Sequence, residues 1–489
     1  MNAKDNSSSA AHKTAANLIW RFFERCGVQG VAFLVSVVLA RLLEPKTHGA
    51  ITMVTVFTSI MQVFVNSGMG SAVVQKKDAD QLDFSTVFYF NMAMGLGLYV
   101  LMFMAAPWIA KFYEMPELTP AVVRVLSLTL VISGLKNMQH TYVSKHMMFK
   151  KFFFSTIGGT LVSAVVGIAM AYMGYGVWAL VAQTLITQFV AAVILWITVP
   201  WRPSWEFSFE RLKGLFSYGW KLLASSLIDT VYNDLRTLII GKKYSSADLA
   251  FYNKGNQFPK LFVTNINTSI DSVLLPVMAK EQNDRSRVRA MTRRAIRISS
   301  FCMWPMMVGL AACGEPLVRL VLTEKWMPCL PFMYVFCFTY AFYPIHTANL
   351  NAIKAMGRSD LFLKLEIIKK VVGITAILIS MRFGVMWMAY SLIITSVISQ
   401  IINSYPNRKL LEYSYGKQLK DIFPSMLLAV VMGAAVWCVK LLNLSDFVTL
   451  CLQVPLGAAI YICGAWLMKM EPFAYILKML KGFLAKRKK

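Results

Sequence analysis

The stretch LVSAVVGIAMAYMGYGVWALVAQTLITQFVAAVILWITV (161–199) contains no charged residue. A helix crosses the core of a bilayer with about 20 consecutive apolar residues, so this stretch is long enough for two passes. We predict membrane spans at 152–173 and 177–199. Runs with almost no charge recur at 87–110 and 371–402. The chain is therefore predicted to be a polytopic membrane protein.

Composition and hydrophobic pattern favour an all-α fold. Of the 489 residues, 57% are hydrophobic and 15% are charged, whereas about 25% are charged in a typical soluble domain. The alternation of apolar and polar residues that marks an outer-membrane barrel is absent. We predict about fourteen transmembrane helices, at 17–40, 49–68, 84–110, 119–138, 152–173, 177–199, 215–240, 249–277, 297–314, 328–350, 362–380, 385–404, 421–440 and 447–468.

The positive charge of the chain is concentrated on one side of the predicted spans. The net charge is +26, which by itself is compatible with a nucleic-acid partner. When alternate loops are assigned to opposite sides, most Lys and Arg residues fall on the side that holds both termini, and such loops are normally cytoplasmic. We therefore expect cytoplasmic termini and no nucleic-acid partner. The basic tail KMLKGFLAKRKK (478–489) is expected to attract anionic membrane lipids.

The polar segment PWRPSWEFSFERLKG (200–214) divides the predicted spans into two groups. RLLEPKTHGAI (41–51) aligns with KKYSSADLAFY (242–252), and internal repeats of this kind are typical of secondary transporters. The predicted domains are a cytoplasmic N-tail (1–16), an N-terminal six-helix bundle (17–199), a cytoplasmic linker (200–214), a second six-helix bundle (215–404), two additional C-terminal helices (405–470) and a basic cytoplasmic tail (471–489).

Polar residues of the first predicted span share one helical face. Arg21, Arg25 and Gln29 follow one another along this face, and Glu24 lies beside Arg21. A charge inside a span costs roughly 2.5–3.5 kcal/mol on insertion scales and usually faces a cavity. Two interpretations stay open: the arginines extend to the headgroups while pairing with Glu24, or they line a hydrated cavity. For Arg25, which lies one turn deeper, we favour the cavity.

Two further predicted spans carry polar stripes. In span 215–240, Asp229 and Asn233 share a face with Arg236, and either a cavity or an Asp229–Arg236 bridge between helices explains them. The stripe in span 249–277 is longer and comprises Asn253, Gln257, Lys260, Thr264, Asn267 and Asp271. One or two polar contacts are enough to join membrane helices. Five turns of polar residues therefore favour a hydrated lumen.

Two other polar positions within predicted spans are interpreted as structural. His346 is expected to be a hydrogen-bonded core histidine. Glu366, Lys369 and Lys370 either form an internal ion pair or indicate that their span begins later than drawn.

Sequence motifs of enzymes are not found. No GxxxxGK[ST] loop is present. KDAD (77–80) contains the DxD signature of many glycosyltransferases, but it lies in a short loop without a nucleotide-binding domain, which favours a chance match. The loops are too short to hold a soluble catalytic domain. We therefore expect a protein that is not an enzyme and has no cofactor and no bound metal.

Several motifs in a fixed order carry a family resemblance. They are LARLLEPKTHGAITMVTVF (39–57), NSGMGSAVVQKKD (66–78), LAFYNKGNQFPKL (249–261), LTEKWMPCLPFMYVFCF (322–338) and NAIKAMGRSD (351–360). Together they resemble Wzx-type flippases of polysaccharides and lipid-linked oligosaccharides, in particular the WzxC-like branch. These flippases are members of the multidrug/oligosaccharidyl-lipid/polysaccharide (MOP) exporter superfamily. The motifs are spread over the first eleven predicted spans.

The resemblance implies a fold, a substrate and a set of binding residues. It implies fourteen helices in two pseudo-symmetric bundles, as in MATE and MurJ transporters, with a central cavity and alternating access. The implied substrate is undecaprenyl pyrophosphate carrying an oligosaccharide, which moves across the bacterial cytoplasmic membrane for cell-surface polysaccharide biosynthesis. The matching pyrophosphate-binding positions are Arg21, Arg25, Lys221 and Arg236. Candidate positions for sugar binding or coupling are Glu24, Gln29, Asp229, Asn233, Asn253, Gln257, Lys260, Asn267 and Asp271.

The implied partners and the alternative functions complete the prediction. Besides the lipid-linked oligosaccharide and membrane lipids, we expect a coupling ion, either H⁺ or Na⁺, and contact with a polysaccharide polymerase and glycosyltransferases. A drug/cation antiporter of the same superfamily is one alternative, although the basic residues of the first span disfavour it. A lipid II flippase is another, because its charge requirements are similar.

Overall fold

The structure, a computed structural model, describes residues 27–486 apart from the side chains at 268, 269, 271–273, 359 and 479–486. Two compact units divide at Ala250 and Phe251. The first contains α1 (Gly27–Leu42), α2 (Pro45–Asn66), α3 (Met69–Gln75), α4 (Gln81–Tyr113), α5 (Pro120–Lys145), α6 (Phe149–Tyr172), α7 (Val177–Thr198), α8 (Phe209–Lys243) and the start of α9 (Ser246–Lys280). The second contains the remainder of α9 followed by α10 (Arg285–Ala312), α11 (Gly314–Leu322), α12 (Leu330–Ala341), α13 (Tyr343–Ala355), α14 (Ser359–Ser380), α15 (Val385–Leu410), α16 (Tyr415–Cys438), α17 (Asp446–Leu467) and α18 (Glu471–Lys486), with 3₁₀ turns at Glu324–Cys329 and Val439–Leu442.

Ten helical segments of the described chain are long and apolar enough to cross a membrane. The all-helical, multi-pass membrane class predicted from the sequence is thus confirmed. α1 is apolar but shorter within the described residues. α8, α9 and α14 coincide with three further predicted spans, yet they are not apolar enough to belong to the ten. The predicted total of fourteen spans stays a prediction.

Local sequence signals explain where several helices begin. Pro45 opens α2 at a position where its missing N–H is not needed. The side chain of Asp80 accepts a hydrogen bond from the Asp83 N–H, and Asp83 bonds back to the Asp80 N–H, which forms a capping box at the start of α4. Asp284 caps α10 by accepting hydrogen bonds from two backbone N–H groups. These caps lie in polar loops between apolar helices.

The helical backbone is interrupted between α2 and α3, at Ser67 and Gly68. Ser67 and Gly68 both adopt left-handed backbone conformations, with φ of 51° and 69°. A Cβ atom on Gly68 would lie 2.3 Å from the carbonyl oxygen of Gly219 in α8, so the backbones of α3 and α8 approach closely only because glycine is present. The Ser67 hydroxyl also donates to Asn91 in α4 at 3.1 Å. The break is therefore packed against two helices.

The segment predicted to be a linker is held against α4 and α5. Trp201 is buried, its indole N–H donates to Gln81 at 2.8 Å, and its carbonyl oxygen accepts from Gln139 at 3.3 Å. The backbone N–H of Ser204 donates to the Ser85 hydroxyl at 2.9 Å. The segment is consequently an ordered part of the first unit, and its role as a boundary between two bundles stays a prediction.

A network of uncharged polar side chains joins α13, α15 and α16 in the second unit. Asn349 donates to Gln418 at 2.7 Å and accepts from Asn407 at 2.6 Å, and Ser404 donates to Gln418 at 3.0 Å. All four residues are fully buried. Because polar groups buried in a bundle must find partners within it, this network fixes how the three helices pack.

Both structural interpretations of isolated polar positions are confirmed. His346 is partly buried, and its ring nitrogen lies 2.9 Å from the side-chain nitrogen of Asn403. Lys369 donates to Glu366 at 2.6 Å within α14. The alternative for this pair, a membrane span that begins later than drawn, stays a prediction, because the helix start at Ser359 does not locate the membrane boundary.

Replacing Gly49 by alanine is expected to destabilise the first unit strongly. A Cβ atom at Gly49 would lie 1.8 Å from the carbonyl oxygen of Ser246, so the start of α2 would have to move away from the start of α9. Overpacking of this kind costs about 1–3 kcal/mol. The apparent melting temperature of the purified protein in detergent should fall.

The control for this prediction is Gly97→Ala in α4, where none of the described residues outside the adjoining turns of the same helix lies within 4 Å of the added Cβ. Alanine is the better helix former by about 1 kcal/mol, so the melting temperature should stay level or rise. A Gly49→Ala protein as stable as Gly97→Ala would contradict the close approach of α2 and α9.

Candidate functional site

A polar cavity of about 900 Å³ lies in the first unit. It is formed near the C-terminal ends of α2 and α5, with contributions from α3, α4, α7 and α8. The carboxamide residues of its lining are Gln62, Asn66, Gln75, Asn91, Asn137 and Gln188. The hydroxyl residues are Ser71, Ser133, Thr141, Ser144, Tyr218 and Ser226.

The charge of the lining has one sign. Lys136 of α5 contributes a positive charge and His140 an imidazole ring, and no Asp or Glu is found among the described lining residues. A lysine together with amide and hydroxyl donors suits an anionic, hydrogen-bonding ligand. The cavity is therefore chemically suited to a phosphorylated or acidic sugar headgroup.

The break between α2 and α3 positions one wall of the cavity. Asn66 is the last residue of α2, and it accepts a hydrogen bond from Asn137 of α5 at 2.7 Å. Gln62, one turn earlier, donates to Ser133 at 2.5 Å. Since α3 starts immediately after the break, Ser71 belongs to the same wall. Polar side chains from α2, α3 and α5 therefore face one volume.

The opposite part of the cavity is formed by α7 and α8. Gln188 of α7 accepts a hydrogen bond from the ammonium group of Lys136. The ring of His140 packs against that of Phe152 at a centroid distance of 4.7 Å. Tyr218 and Ser226 of α8 line the cavity and are exposed. A ligand in the cavity would thus contact helices from both ends of the first unit's sequence.

A second cavity, of about 790 Å³, lies between α3 and the start of α8 and shares Gln75 and Tyr218 with the first. An ion-pair cluster stands beside it. The fully buried carboxylate of Asp83 accepts from Lys76 at 2.6 Å and lies 3.5 Å from Arg211. Arg211 also lies 3.3 Å from Asp80. This cluster ties the start of α8 to the loop before α4, and its Lys76 and Arg211 line the second cavity.

The same cluster perturbs an acid at the protein surface. The Asp83 backbone N–H holds the pKa of Asp80 below its usual value, and the positive charge of Arg211 acts in the same direction. Asp80 therefore stays ionised, and its pairing with Arg211 is retained, at neutral pH.

The predicted residues of α8 are in two environments. Lys221, Asp229 and Asn233 are exposed, and Asp229 and Asn233 lie four residues apart on one face. Arg236, one turn later, is buried instead, with 7% of its surface exposed. Asp234, which the helical spacing places on another face, accepts from Ser59 of α2 at 2.9 Å. The predicted stripe thus contains an exposed polar row that ends at a buried arginine.

The predicted residues of α9 belong to the second unit. Asn253 and Gln257 are partly buried, and Lys260 is exposed. Asn267 is buried, with its side-chain oxygen lacking a hydrogen-bond partner among the described residues. The side chain of Asp271 lies outside the described residues. Pro259 and Pro276 interrupt the hydrogen-bond ladder of this helix.

The predicted residues of the first span lie largely beyond the described chain. Arg21, Glu24 and Arg25 precede residue 27, where the description begins. Gln29 lies on α1 and is partly buried. Their assignment to a cavity therefore stays a prediction.

Lys136 and His140 were missed by the sequence reasoning. They lie in SGLKNMQHTYVSK (133–145), which reads as the polar end of a span on the basic side of the membrane. A signal was present, because Ser133, Lys136, Asn137 and His140 recur with helical spacing. This spacing shows that the four residues share one face of α5, but it does not show which helices that face contacts.

Comparisons with known proteins agree with this architecture. Residues 38–331 match the model of a family described as "Polysaccharide biosynthesis protein". The teichuronic acid biosynthesis protein TuaB of Bacillus subtilis (strain 168) is 22% identical over 412 residues, which cover 83% of this chain and 85% of TuaB. The lipopolysaccharide biosynthesis protein WzxC of Escherichia coli (strain K12) is 23% identical over 403 residues, covering 81% and 80% of the two chains.

Solved structures share the fold at low sequence identity. The lipid II flippase MurJ in an inward closed conformation aligns with a TM-score of 0.74 at 14% identity, over 93% of this chain and 98% of MurJ. An inward-facing multidrug resistance MATE family transporter of the MOP superfamily aligns with a TM-score of 0.62 at 16% identity, over 78% and 94%. The family match spans more than half of the chain, so the protein belongs to the polysaccharide biosynthesis protein family, and it shares the fold of the MurJ and MATE structures.

Proposed function

We propose that this protein moves undecaprenyl-pyrophosphate-linked oligosaccharide repeat units from the inner to the outer leaflet of the bacterial cytoplasmic membrane. The exported units are then available for cell-surface polysaccharide biosynthesis. The observation that carries the proposal is the cavity of the first unit, which combines Lys136 and many amide and hydroxyl groups without a described carboxylate. In a family of polysaccharide biosynthesis proteins, such a lining suits a sugar diphosphate.

The proposed architecture is that of an alternating-access transporter. Fourteen transmembrane helices form two pseudo-symmetric six-helix bundles, at 17–199 and 215–404, joined by the linker 200–214. Two additional helices follow within 405–470. Both termini are cytoplasmic, which agrees with the excess of basic residues in the loops on their side.

The proposed substrate site has one set of residues for the pyrophosphate and another for the sugar or for coupling. Arg21, Arg25, Lys221 and Arg236 contact the pyrophosphate, because cationic side chains neutralise phosphate oxygens and arginine also donates a planar pair of hydrogen bonds. The sugar and coupling residues are Glu24, Gln29, Asp229, Asn233, Asn253, Gln257, Lys260, Asn267 and Asp271. The polyprenyl chain stays in the lipid while the headgroup crosses.

Energy for the cycle is proposed to come from a coupling ion, H⁺ or Na⁺. An acid such as Glu24 or Asp271, neutralised in one state and charged in the other, would bias the equilibrium between inward- and outward-open forms. A polymerase and glycosyltransferases are the proposed partners that consume and supply the lipid-linked unit. The protein itself is proposed to make or break no covalent bond.

Deletion and complementation test the proposal. The gene is deleted from its own host, and both surface polysaccharide and accumulated lipid-linked oligosaccharide are measured. We expect loss of the polysaccharide, accumulation of the lipid-linked unit, and restoration of both by the wild-type gene. Intact polysaccharide together with increased sensitivity to cationic drugs would favour a drug/cation antiporter instead. Rescue of a strain depleted of its own lipid II flippase would instead favour a lipid II flippase.

Arg25→Ala is expected to abolish polysaccharide export while the protein still inserts into the membrane. The substitution removes the proposed pyrophosphate contact. Export by the complemented deletion strain should fall to the level of the strain without the gene, at unchanged protein abundance in membranes.

The control is Arg408→Ala, at an exposed position in the last turn of α15, which should export normally. Full export by the Arg25→Ala protein would rule out the proposed role of Arg25 as a phosphate ligand.

A further inference from the structure

Lys136 differs from the other described lysines near the cavity in what its ammonium group contacts. Lys145 donates to the carbonyl oxygens of Val73 and Lys76 and thereby caps the end of α3. Lys76 is paired with the buried carboxylate of Asp83. Both of these lysines are therefore occupied by structural contacts.

The ammonium group of Lys136 contacts a neutral side chain instead. It donates to the Gln188 carboxamide oxygen, and no carboxylate of the described residues lies within ion-pair distance of it. A lysine has three N–H donors, so two of them remain for another acceptor. The residue is partly buried within a candidate membrane span. A positive charge held there without a counter-charge is costly unless it serves a ligand.

The neighbouring polar groups are held in place by bonds to one another. Gln62 is fixed by its bond to Ser133, and Asn137 by its bond to Asn66. Each of these side chains keeps further donors or acceptors directed at the cavity they line. Such preorganisation lowers the cost of ordering the site when a ligand binds. The polar side chains around Lys136 are therefore already ordered before a ligand binds.

We propose that Lys136 is the centre of an oxyanion subsite on α5, supported by Gln188, Gln62 and Asn137. This subsite lies within the first unit, and its residues are not among the positions predicted to bind the pyrophosphate. The inference rests on the proposed function, because that function supplies the ligand, a lipid-linked oligosaccharide. Two parts of a lipid-linked oligosaccharide carry oxyanions: the diphosphate and the carboxylate of an acidic sugar.

The subsite is tested by ligand-dependent thermal stability of the full-length protein in detergent. The probes are inorganic pyrophosphate, which represents the diphosphate, and glucuronate, which represents an acidic sugar. Sodium chloride at equal ionic strength is the reference. We expect pyrophosphate to raise the melting temperature of the wild-type protein in a saturable manner. In Lys136→Met, which keeps the length of the side chain without its charge, half-saturation should need about tenfold more pyrophosphate.

Two further variants complete the design. Lys136→Arg retains the positive charge and should retain most of the effect. Lys111→Met, at an exposed lysine in the last turn of α4, should behave as wild type. Stabilisation by glucuronate alone, lost in Lys136→Met, would identify the sugar carboxylate as the ligand group.

The subsite is overturned if neither probe stabilises the wild-type protein, or if Lys136→Met responds as wild type does. The first of these outcomes needs no variant, so it holds even if Lys136→Met fails to fold. Complementation separates this result from the proposed function. A wild-type gene that restores polysaccharide export, encoding a protein that binds neither probe, would leave the flippase standing and remove the subsite.

Discussion

Asp421→Ala is expected to lower the stability of the second unit by about 3 kcal/mol. The carboxylate of Asp421 in α16 is buried, with 5% of its side chain exposed. It accepts two hydrogen bonds from Arg293 at 2.7 and 2.8 Å. It also accepts two from Arg297 at 3.0 and 2.5 Å, and one from the Tyr413 hydroxyl at 2.8 Å. Its removal leaves two guanidinium groups without their shared counter-charge, so α10 and α16 should separate at a lower temperature.

The matched control for Asp421 is an exposed ion pair whose arginine also belongs to α10. Glu412 has 81% of its side chain exposed and lies 3.0 Å from Arg289 of α10. Pairs of this kind contribute about 0–1 kcal/mol, so Glu412→Gln should melt close to wild type. Melting temperature and the monodisperse fraction in size-exclusion chromatography provide the readout. Equal melting temperatures for the two variants would show that the Asp421 network does not hold these helices together.

Ser226→Trp is expected to stop polysaccharide export without unfolding the protein. Ser226 lines the cavity of the first unit from α8, and it is exposed. An indole at this position would occupy volume needed by the sugar headgroup, while no core residue is displaced. Export by the complemented deletion strain should fall to the level seen without the gene, and the melting temperature of the purified variant should change little.

The control for cavity filling is Ser217→Trp on the same helix. Ser217 is also exposed, but it is not among the described lining residues of the cavity. The same increase in size at this position should leave export near wild type. If Ser226→Trp exported as well as Ser217→Trp, the headgroup would have to pass elsewhere.

The helices themselves could be predicted from the sequence with good accuracy. The span predicted at 177–199 is the helix Val177–Thr198, and that predicted at 152–173 is Phe149–Tyr172. Such uncharged runs have one stable structure in a bilayer, because a helix satisfies every backbone hydrogen bond within the segment. Apolar length alone therefore determined these elements.

Helix boundaries were predicted less well where charged residues extend a helix beyond the apolar run. The span drawn at 297–314 belongs to a helix that begins at Arg285. Its first turns carry Arg293 and Arg297, whose charge is accommodated by Asp421, more than 120 residues later in the chain. Hydropathy reports where a chain can enter lipid, and it contains no information about ion pairs between distant segments.

The candidate site was predicted only in part, for a related reason. Helical spacing placed Asp229, Asn233 and Arg236 on one face of α8, of which Asp229 and Asn233 are exposed and Arg236 is buried. It did not identify Lys136, because the cavity around that residue is assembled from several helices. The spacing within one helix shows which residues share a face, whereas the partners of that face depend on how the helices pack.

Exposure of the oligosaccharide headgroup on the outer leaflet tests the central claim most directly. Spheroplasts of a strain that lacks its polysaccharide polymerase, so that single lipid-linked units accumulate, are labelled from outside with a lectin specific for the repeat unit. The strain carries either the wild-type gene, no gene, or the Ser226→Trp variant at equal abundance. We predict labelling with the wild-type gene alone. Labelling of equal strength in the strain without the gene would contradict the claim that this protein carries the headgroup across the membrane.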